Sequence, residues 1–200
     1  MIFHLVTVPA VIFFVKIDLF NTDEKYDIIY ADPPWSYLWG KGSGGGGNFC
    51  PERHYSTMST DEICQLGEYI KKIRAKNCAL FIWTTTPCLP EVFKVIEAWG
   101  FKYKTCAFTW VKTKKDGMPL AGMGSYTKAN AELCLLAMRG HIKSVDKTVP
   151  QIAMHPRQGH SVKPDEVMRR IEKLFGPETK KIELFARRPV DGWDRWGNEA

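Results

Sequence analysis

Residues 26–35 read YDIIYADPPW, and this stretch decides the fold class. Its first part, Tyr26 to Ala31, is a short apolar run of the kind typical of a buried parallel strand. Asp32 follows at the carboxyl end of that strand, which is where open α/β sheets bind their ligands. The stretch therefore predicts an α/β fold with an acidic side chain at the ligand-binding edge of its sheet.

The residues after Asp32 favour a pocket for a planar molecule that carries an NH2 group. Pro33 and Pro34 fix the backbone and lack N–H donors, which leaves carbonyl oxygens to accept hydrogen bonds. Trp35 offers a flat apolar face for stacking. The exocyclic amine of adenine is a poor nucleophile, and two acceptors that pull its hydrogens out of the ring plane favour attack in the transition state. A plain turn with a packed tryptophan is the structural alternative.

Size and composition indicate one globular domain. The 200 residues are 44% hydrophobic and 25% charged, and the net charge of +6 weakly favours a polyanionic partner. The six cysteines form no CxxC pair and several lie in apolar runs, so we expect free thiols in a reducing compartment. The five histidines show no metal-ligand spacing, and we expect no metal.

The N-terminal segment is almost entirely apolar from residue 2 to residue 15 (IFHLVTVPAVIFFV). It is too short to span a bilayer and lacks the basic start and cleavage site of a signal peptide. One or two buried strands broken at Pro9, or an extension from a misplaced start codon, are the two interpretations. We therefore expect an N-terminal segment at 1–25, joined to a main domain at 26–200, in a cytoplasmic protein of a bacterium or a phage-infected cell.

Strand and helix signals alternate along the chain. Further strands are expected at 78–83, 103–112, 131–138 and 181–186. Helices are expected at 59–76, from Pro87 to Gly100 and at 164–175, the first of them with a capping box at Ser59. The segments 36–56 and 113–130 are expected to be loops that close over a substrate. The alternation predicts a largely parallel sheet with helices on both faces, completed by N-terminal strands in a permuted order.

Two clusters near the C-terminus suit a small ligand. The first, HSVKP at 160–164, precedes a helix, where N–H groups and a lysine favour an anion or a carboxylate. The second is ELFAR at 183–187, followed by GWDRWGNE at 192–199; acids and amides at strand ends suit a ribose diol, and arginine suits a carboxylate. A capped helix and an ordinary surface arginine are the alternatives. No glycine-rich dinucleotide fingerprint is present, so NAD is not indicated.

Seven segments, taken in order, resemble the adenine-N6 methyltransferases of the MT-A70 type. They are DPPW (32–35), HYSTMS (54–59), LFIWTT (80–85), WVKT (110–113), HSVKPDE (160–166), IELFAR (182–187) and GWDRWGNE (192–199). The resemblance covers about residues 26–199. It implies a Rossmann-like methyltransferase fold with permuted motif order, S-adenosylmethionine (SAM) as cofactor and adenine in nucleic acid as substrate.

The resemblance also implies roles for individual residues. The target adenine would be held by the catalytic segment Asp32, Pro33, Pro34 and Trp35. SAM would be bound by Asp32, His160, Ser161, Lys163, Glu183, Phe185, Arg187, Asn198 and Glu199, with Lys163 at its carboxylate and the last two at its ribose. The substrate would be contacted by Tyr37, Tyr55, Trp110 and Lys112.

Several functions remain as alternatives. DNA is favoured over RNA as the substrate because the chain is a small single domain. A non-catalytic subunit that binds nucleic acid or an active partner is less favoured because the acid and the aromatic residue of DPPW are both present. We expect a homo- or heterodimer and no membrane partner. A protein glutamine as substrate and a plain DNA-binding module fit the motifs less well. An Asp32 carboxyl buried in an ion pair, or pointing away from any cavity able to admit a nucleobase, would overturn the catalytic hypothesis.

Overall fold

The computed structural model describes residues 15–36, 57–122, 126–157 and 162–197. The strands of this part of the chain are β1 (Tyr26–Ala31), β2 (Arg74–Thr84), β3 (Lys102–Thr113), β4 (Ala131–Arg139), β5 (Ile152–Pro156), β6 (Lys181–Leu184) and β7 (Asp194–Trp196). The helices are α1 (Thr60–Gln65), α2 (Gly67–Ile73), α3 (Leu89–Ala98) and α4 (Asp165–Phe175), with a 3-10 turn at Thr86–Cys88. None of these helices is long and apolar enough to cross a bilayer.

The described strands form one sheet in the order β5-β3-β4-β2-β1-β6-β7. β1 lies between β2 and β6 and is parallel to both. The pairs β3–β5 and β6–β7 are also parallel, whereas β4 runs antiparallel to β2 and β3. β1, which leads into DPPW, and β6, which leads into the ELFAR segment, are neighbours although they lie far apart along the chain.

Helices cover both faces of the sheet, which confirms the predicted α/β class. Side chains of α1, α2 and α3 pack with Ile29 and Ala31 of β1 in one core. Side chains of α4 pack with Ile28 and Tyr30 of β1 in the other. Because both faces are covered, β1 is buried at every position except the partly buried Asp27 instead of alternating, as expected for a buried parallel strand.

The helix expected at 59–76 begins as predicted but is divided. Ser59 caps α1 in the predicted capping box, with its backbone N–H donating to the Glu62 carboxylate at 2.7 Å. The chain bends at Leu66, and α2 then packs closely on α3, since a Cβ on Gly67 would lie 2.7 Å from the Ala98 carbonyl oxygen. Arg74 is extended and begins β2, so the helix ends at Ile73.

The sheet has two strands that were not predicted, β5 and β7. β5 ends in Pro156, and β7 has three residues inside a segment interpreted as a ligand site. Beyond β7, the Ile17 N–H donates to the Arg195 carbonyl at 3.0 Å and the Arg195 N–H to the Val15 carbonyl at 3.1 Å. Part of the predicted 1–25 segment thus extends this edge of the sheet, whereas the strands expected around Pro9 lie outside the described residues.

The described cysteines are free thiols. Cys78, Cys88 and Cys134 are buried, and Cys64 and Cys106 are partly buried. Burial raises the pKa of Cys78 to about 12 and also raises that of Cys134. Cys78 and Cys134 are therefore protonated near neutral pH and behave as small apolar side chains.

Candidate active site

The carboxyl ends of β1 and β6 lie side by side and form one edge of a cleft. Ala31 at the end of β1 is in register with Leu184 at the end of β6. Asp32 and Phe185 follow these two residues directly, so both lie at the edge where open α/β sheets bind ligands.

This cleft has an empty volume of about 460 Å³, part of it open to solvent. It is lined by Tyr30, Asp32, Val162, Lys163, Asp165, Met168, Glu183, Phe185, Arg187, Arg188 and Val190. Among these, Arg188 and Asp165 form an ion pair. Five residues predicted to bind the cofactor, namely Asp32, Lys163, Glu183, Phe185 and Arg187, are therefore brought together in one cavity.

A chain of ion pairs leads from Asp32 away from the cleft. The Lys163 Nζ lies 2.6 Å from the Asp32 Oδ2 and 3.2 Å from the Glu132 Oε2. The Lys112 Nζ lies 2.5 Å from the Glu132 Oε1. The side chains are 19% exposed at Asp32, 10% at Lys163, 12% at Glu132 and 24% at Lys112. Asp32, Lys163, Glu132 and Lys112 are called the charge chain below.

The pKa values of Asp32 and Lys163 are raised in the charge chain, and that of Glu132 is lowered. Burial raises the pKa of Asp32 above its ordinary value, with Lys163 opposing and Glu132 adding to the effect. Burial also acts to raise the pKa of Glu132, but Lys163 and Lys112 outweigh it and the pKa of this carboxyl is lowered. Burial alone would lower the pKa of Lys163, yet the two carboxylates hold it above its ordinary value. Lys163 is therefore a permanent cation.

Asp32 meets one condition of the catalytic hypothesis and departs from the other. It lines the cleft as expected, but it is also in a partly buried ion pair with Lys163, which the hypothesis treated as contrary evidence. Lys163 contacts the Oδ2 atom, and an ionised carboxylate can accept about four hydrogen bonds. The ion pair therefore leaves acceptor capacity for a ligand, and the catalytic role of Asp32 stays a prediction.

The carbonyl groups after Asp32 are engaged, contrary to expectation. The Trp35 N–H donates to the Pro33 carbonyl at 2.9 Å, and the Met58 N–H donates to the Pro34 carbonyl at 2.8 Å. Each carbonyl keeps a second lone pair. These bonds fix the DPPW backbone against the segment that leads into α1.

Trp35 packs into the protein instead of presenting an open face. Its ring is 6% exposed and belongs to the core on the α1 side of the sheet. The indole N–H donates to the Trp83 carbonyl oxygen at 2.9 Å. The predicted stacking face is therefore largely covered, and the side chain anchors the DPPW segment to the end of β2.

The turn after β6 is strained and tightly packed. Phe185 has a φ of 61°, the one positive value at a non-glycine position among the described residues. Such left-handed backbone is uncommon outside glycine and concentrates at functional sites. Gly197 lies against the same turn, since a Cβ there would come within 2.3 Å of the Ala186 carbonyl oxygen. The residue before the predicted Asn198–Glu199 pair is thus held beside Phe185.

Glu183 is an acid with unusual titration in the cleft. Burial raises its pKa to about 7, and the negative charge of Asp32 contributes in the same direction. Lys163 opposes the shift. The carboxyl group therefore changes its charge near neutral pH.

Other predicted site residues are placed differently or lie outside the description. Trp110 is buried and donates its indole N–H to the His155 carbonyl at 2.9 Å. Its side chain is therefore packed inside the protein, and its predicted contact with a base stays a prediction. Lys112 is paired with Glu132. The positions outside the described residues are Tyr37, Tyr55, His160, Ser161, Asn198 and Glu199.

Glu132 is the site residue that sequence reasoning missed. It is the one acid in the apolar strand β4 (AELCLLAMR) and lies at the second position of that strand. A charged residue at the start of a buried strand is the signal that could have marked it.

Comparison with known proteins gives a consistent result. The MT-A70 family model matches residues 26–199. The type II methyltransferase M.MunI of Mycoplasma sp is 37% identical over 191 residues, covering 88% of this chain and 78% of that protein. The MT-A70-like N(6)-adenosine-methyltransferase of Drosophila melanogaster is 28% identical, covering 82% of this chain and 24% of that protein. The human N(6)-adenine-specific methyltransferase METTL4 is 29% identical, covering 90% and 39%. The chain belongs to the MT-A70 family, the family of adenine-N6 methyltransferases that its motifs predicted.

Proposed function

We propose that this protein transfers a methyl group from SAM to the N6 amine of adenine in DNA. The proposal rests on the position of Asp32. This residue follows the carboxyl end of β1, lines the cleft and is paired with the Lys163 ammonium. Family membership and the names of the relatives support the same chemistry.

The groups in the cleft suit the chemistry of SAM. SAM supplies the methyl group and carries a positive sulfonium, an amino-acid end and a ribose. The acids Asp32 and Glu183 line the cleft and suit its positive charge, while Lys163 and Arg187 suit its carboxylate. Phe185 and Met168 supply apolar surface in the same cavity. The donor set therefore fits SAM.

The proposed step is a direct displacement at carbon. Bound SAM would supply an electrophilic methyl group: the N6 lone pair would form the new C–N bond, the electrons of the C–S bond would go to sulfur, and one N6 proton would then pass to solvent water. The Asp32 carboxylate accepts a hydrogen bond from the amine and favours the pyramidal nitrogen of the transition state. Holding both reactants in line supplies several kcal/mol without a covalent intermediate. A target base in a duplex must first be extruded, at a cost of a few kcal/mol.

DNA is proposed over RNA because the type II methyltransferase M.MunI is more similar in sequence to this chain than the RNA methyltransferase MTA1 is. The type II methyltransferase M.MunI is 37% identical, whereas the RNA methyltransferase MTA1 of Cryphonectria parasitica is 24% identical. The RNA activity is the second candidate because that relative also covers 87% of this chain. A cytoplasmic location and a homo- or heterodimer stay predictions.

A substrate panel tests the proposal. Purified protein is incubated with methyl-labelled SAM and unmethylated duplex DNA, single-stranded DNA or RNA, and the products are digested to nucleosides. We expect label in N6-methyldeoxyadenosine from a DNA substrate. Label on cytosine, or no label in any nucleic acid, would contradict the proposal, and label in RNA alone would support the second candidate.

A further inference from the structure

Lys112 occupies an unexpected place for a residue predicted to contact the substrate. Its Nζ lies 2.5 Å from the Glu132 carboxylate, whose other oxygen lies 3.2 Å from the Lys163 Nζ. Lys163 in turn contacts Asp32 at 2.6 Å. Lys112 is thus the outer end of the charge chain that reaches the proposed catalytic acid.

The sheet fixes the outer half of the charge chain. Lys112 lies near the end of β3 and Glu132 near the start of β4, and these two strands are paired with Trp110 opposite Glu132. The Lys112 N–H donates to the Asn130 carbonyl at 2.8 Å. Neither residue can shift along its strand without breaking this ladder, so the ion pair is held by rigid elements.

Two tryptophan rings lie beside the two lysines of the charge chain. The Lys163 Nζ lies 5.6 Å from the centre of the Trp83 ring, and the Lys112 Nζ lies 5.2 Å from that of Trp110. The two tryptophan rings meet edge to face at 6.5 Å and belong to the core on the α4 side. Charges beside apolar rings are screened less than charges in water. The loss of one charge therefore changes the interaction energies of the other charges more than it would in water.

The balance of the charge chain depends on Lys112. It joins two carboxylates to two ammonium groups, and its charges cancel. Without Lys112, the Lys163 ammonium would stand between two carboxylates, and Glu132 would compete with Asp32 for it. Two acids that share one cation in a poorly screened site retain a proton between them more readily.

We propose that Lys112 is a positioning residue for methyl transfer, acting through Glu132 to keep Lys163 on Asp32. This inference rests on the proposed function, in which the Asp32 carboxylate accepts a hydrogen bond from the target amine. Among the described residues, the Lys112 ammonium contacts the Glu132 carboxylate and the Trp110 ring, and Lys112 is not one of the residues that line the cleft.

The groups facing Asp32 determine the direction of the expected effect. Lys163 and Arg187 favour the ionised form of Asp32, and Glu132 disfavours it. The negative charge of Asp32 in turn raises the pKa of Glu183 and that of the fully buried Tyr30 and Cys134. Neutralising Lys112 leaves Lys163 as the one described ion-pair partner of both Glu132 and Asp32, so Asp32 should hold its proton to a higher pH.

The test is the pH profile of kcat for methyl transfer to DNA in the wild type, Lys112→Met, Lys112→Arg and Lys112→Met/Glu132→Gln. In Lys112→Met we expect the acid limb to move up by about one pH unit, with KM for DNA changed less than about twofold. Lys112→Arg should keep the wild-type profile, and the double variant should recover at least about half of the shift because its charges cancel again.

A different pattern would overturn the inference. If Lys112→Met raises KM for DNA while the kcat profile stays in place, Lys112 is a substrate contact only. A double variant with the full shift of Lys112→Met also contradicts the route through Glu132. Lys112→Gln replaces Lys112→Met if thermal melting shows a folding defect. An inactive wild type, or an Asp32→Asn enzyme of normal activity, would instead reject the proposed function.

Discussion

At the residue scale, Asp32 lies between opposing influences. Burial and the charge of Glu132 raise its pKa, whereas Lys163 and Arg187 lower it. An acceptor for an amine hydrogen works best when ionised, so in the proposed function the two cations would help to keep Asp32 ionised. A single carboxylate in the same apolar setting would hold its proton more tightly.

Glu183 provides a prediction at the same scale. Its pKa of about 7 lies above the ordinary value for Glu, so in the free protein it is largely protonated below pH 7 and ionised above it. Binding of the positively charged SAM favours the ionised form. We expect the affinity for SAM to fall about threefold to tenfold between pH 8 and pH 6, because the proton must then be released on binding.

Calorimetry of SAM binding at several pH values checks this expectation. Glu183→Gln should bind more weakly at pH 8 and lose most of the pH dependence. Glu178→Gln removes an exposed acid nearby in the chain and should behave like the wild type. An unchanged pH dependence in Glu183→Gln would assign the titration to another group.

At the element scale, the turn after β6 is shaped by its contact with β7. The Ala186 N–H donates to the Trp196 carbonyl at 2.9 Å, and the rings of Phe185 and Trp196 lie 5.5 Å apart. Gly197 leaves this contact room to form. The short β7 therefore supports the left-handed Phe185 in the wall of the cleft.

Gly197→Ala tests this support. The added Cβ would lie 2.3 Å from the Ala186 carbonyl oxygen, so the turn and β7 must separate. We expect a loss of about 1–3 kcal/mol in the free energy of unfolding, together with weaker SAM binding. Gly117→Ala is the control for a glycine in open space; it has a φ of 83°, so its cost is local strain of about 1 kcal/mol with SAM binding unchanged. Equal SAM affinity in Gly197→Ala and the wild type would contradict the proposed support.

The elements that could be predicted from the sequence have a recognisable residue pattern within their own segment of the chain. The apolar run of β1, the capping box at Ser59 and the apolar strand β4 each contain enough residues to be recognised alone. β5 and β7 could not be, because they are short and gain their pairing from distant strands. The pairing of Lys112 with Glu132 likewise depends on the register of β3 and β4.

The two tryptophans of the predicted site show why side-chain roles are harder to predict than elements. Trp35 and Trp110 lie in motifs that suggested contact with a base, yet both rings are buried and donate to backbone carbonyls. A sequence motif gives the position of a tryptophan but not the direction of its side chain.

At the scale of the whole molecule, the fold assembles the site from distant parts of the chain. Asp32 and Lys163 are separated by 131 positions, and Glu132 comes from a third element. The central β1, covered on both faces, gives this assembly a rigid base. The site therefore depends on the integrity of the complete sheet.

The N-terminal segment is predicted to belong to the same cooperative unit. Leu19 is 2% exposed and packs in the core on the α1 side, whereas Val15 is 53% exposed. We expect Leu19→Ala to lower the free energy of unfolding by about 2–4 kcal/mol in a single transition, and Val15→Ala to change it by less than about 0.5 kcal/mol. Denaturant unfolding measures both; equal, small effects would place the segment outside the domain.

The most direct measurement is the single-turnover rate of methyl transfer to duplex DNA by Asp32→Asn, with SAM and DNA saturating. We expect a rate at least about a hundredfold below the wild type, because the charged acceptor for the amine is lost. Asp23→Asn, the same change at an exposed acid, should retain the wild-type rate. A folded Asp32→Asn protein with near wild-type turnover would contradict the assignment.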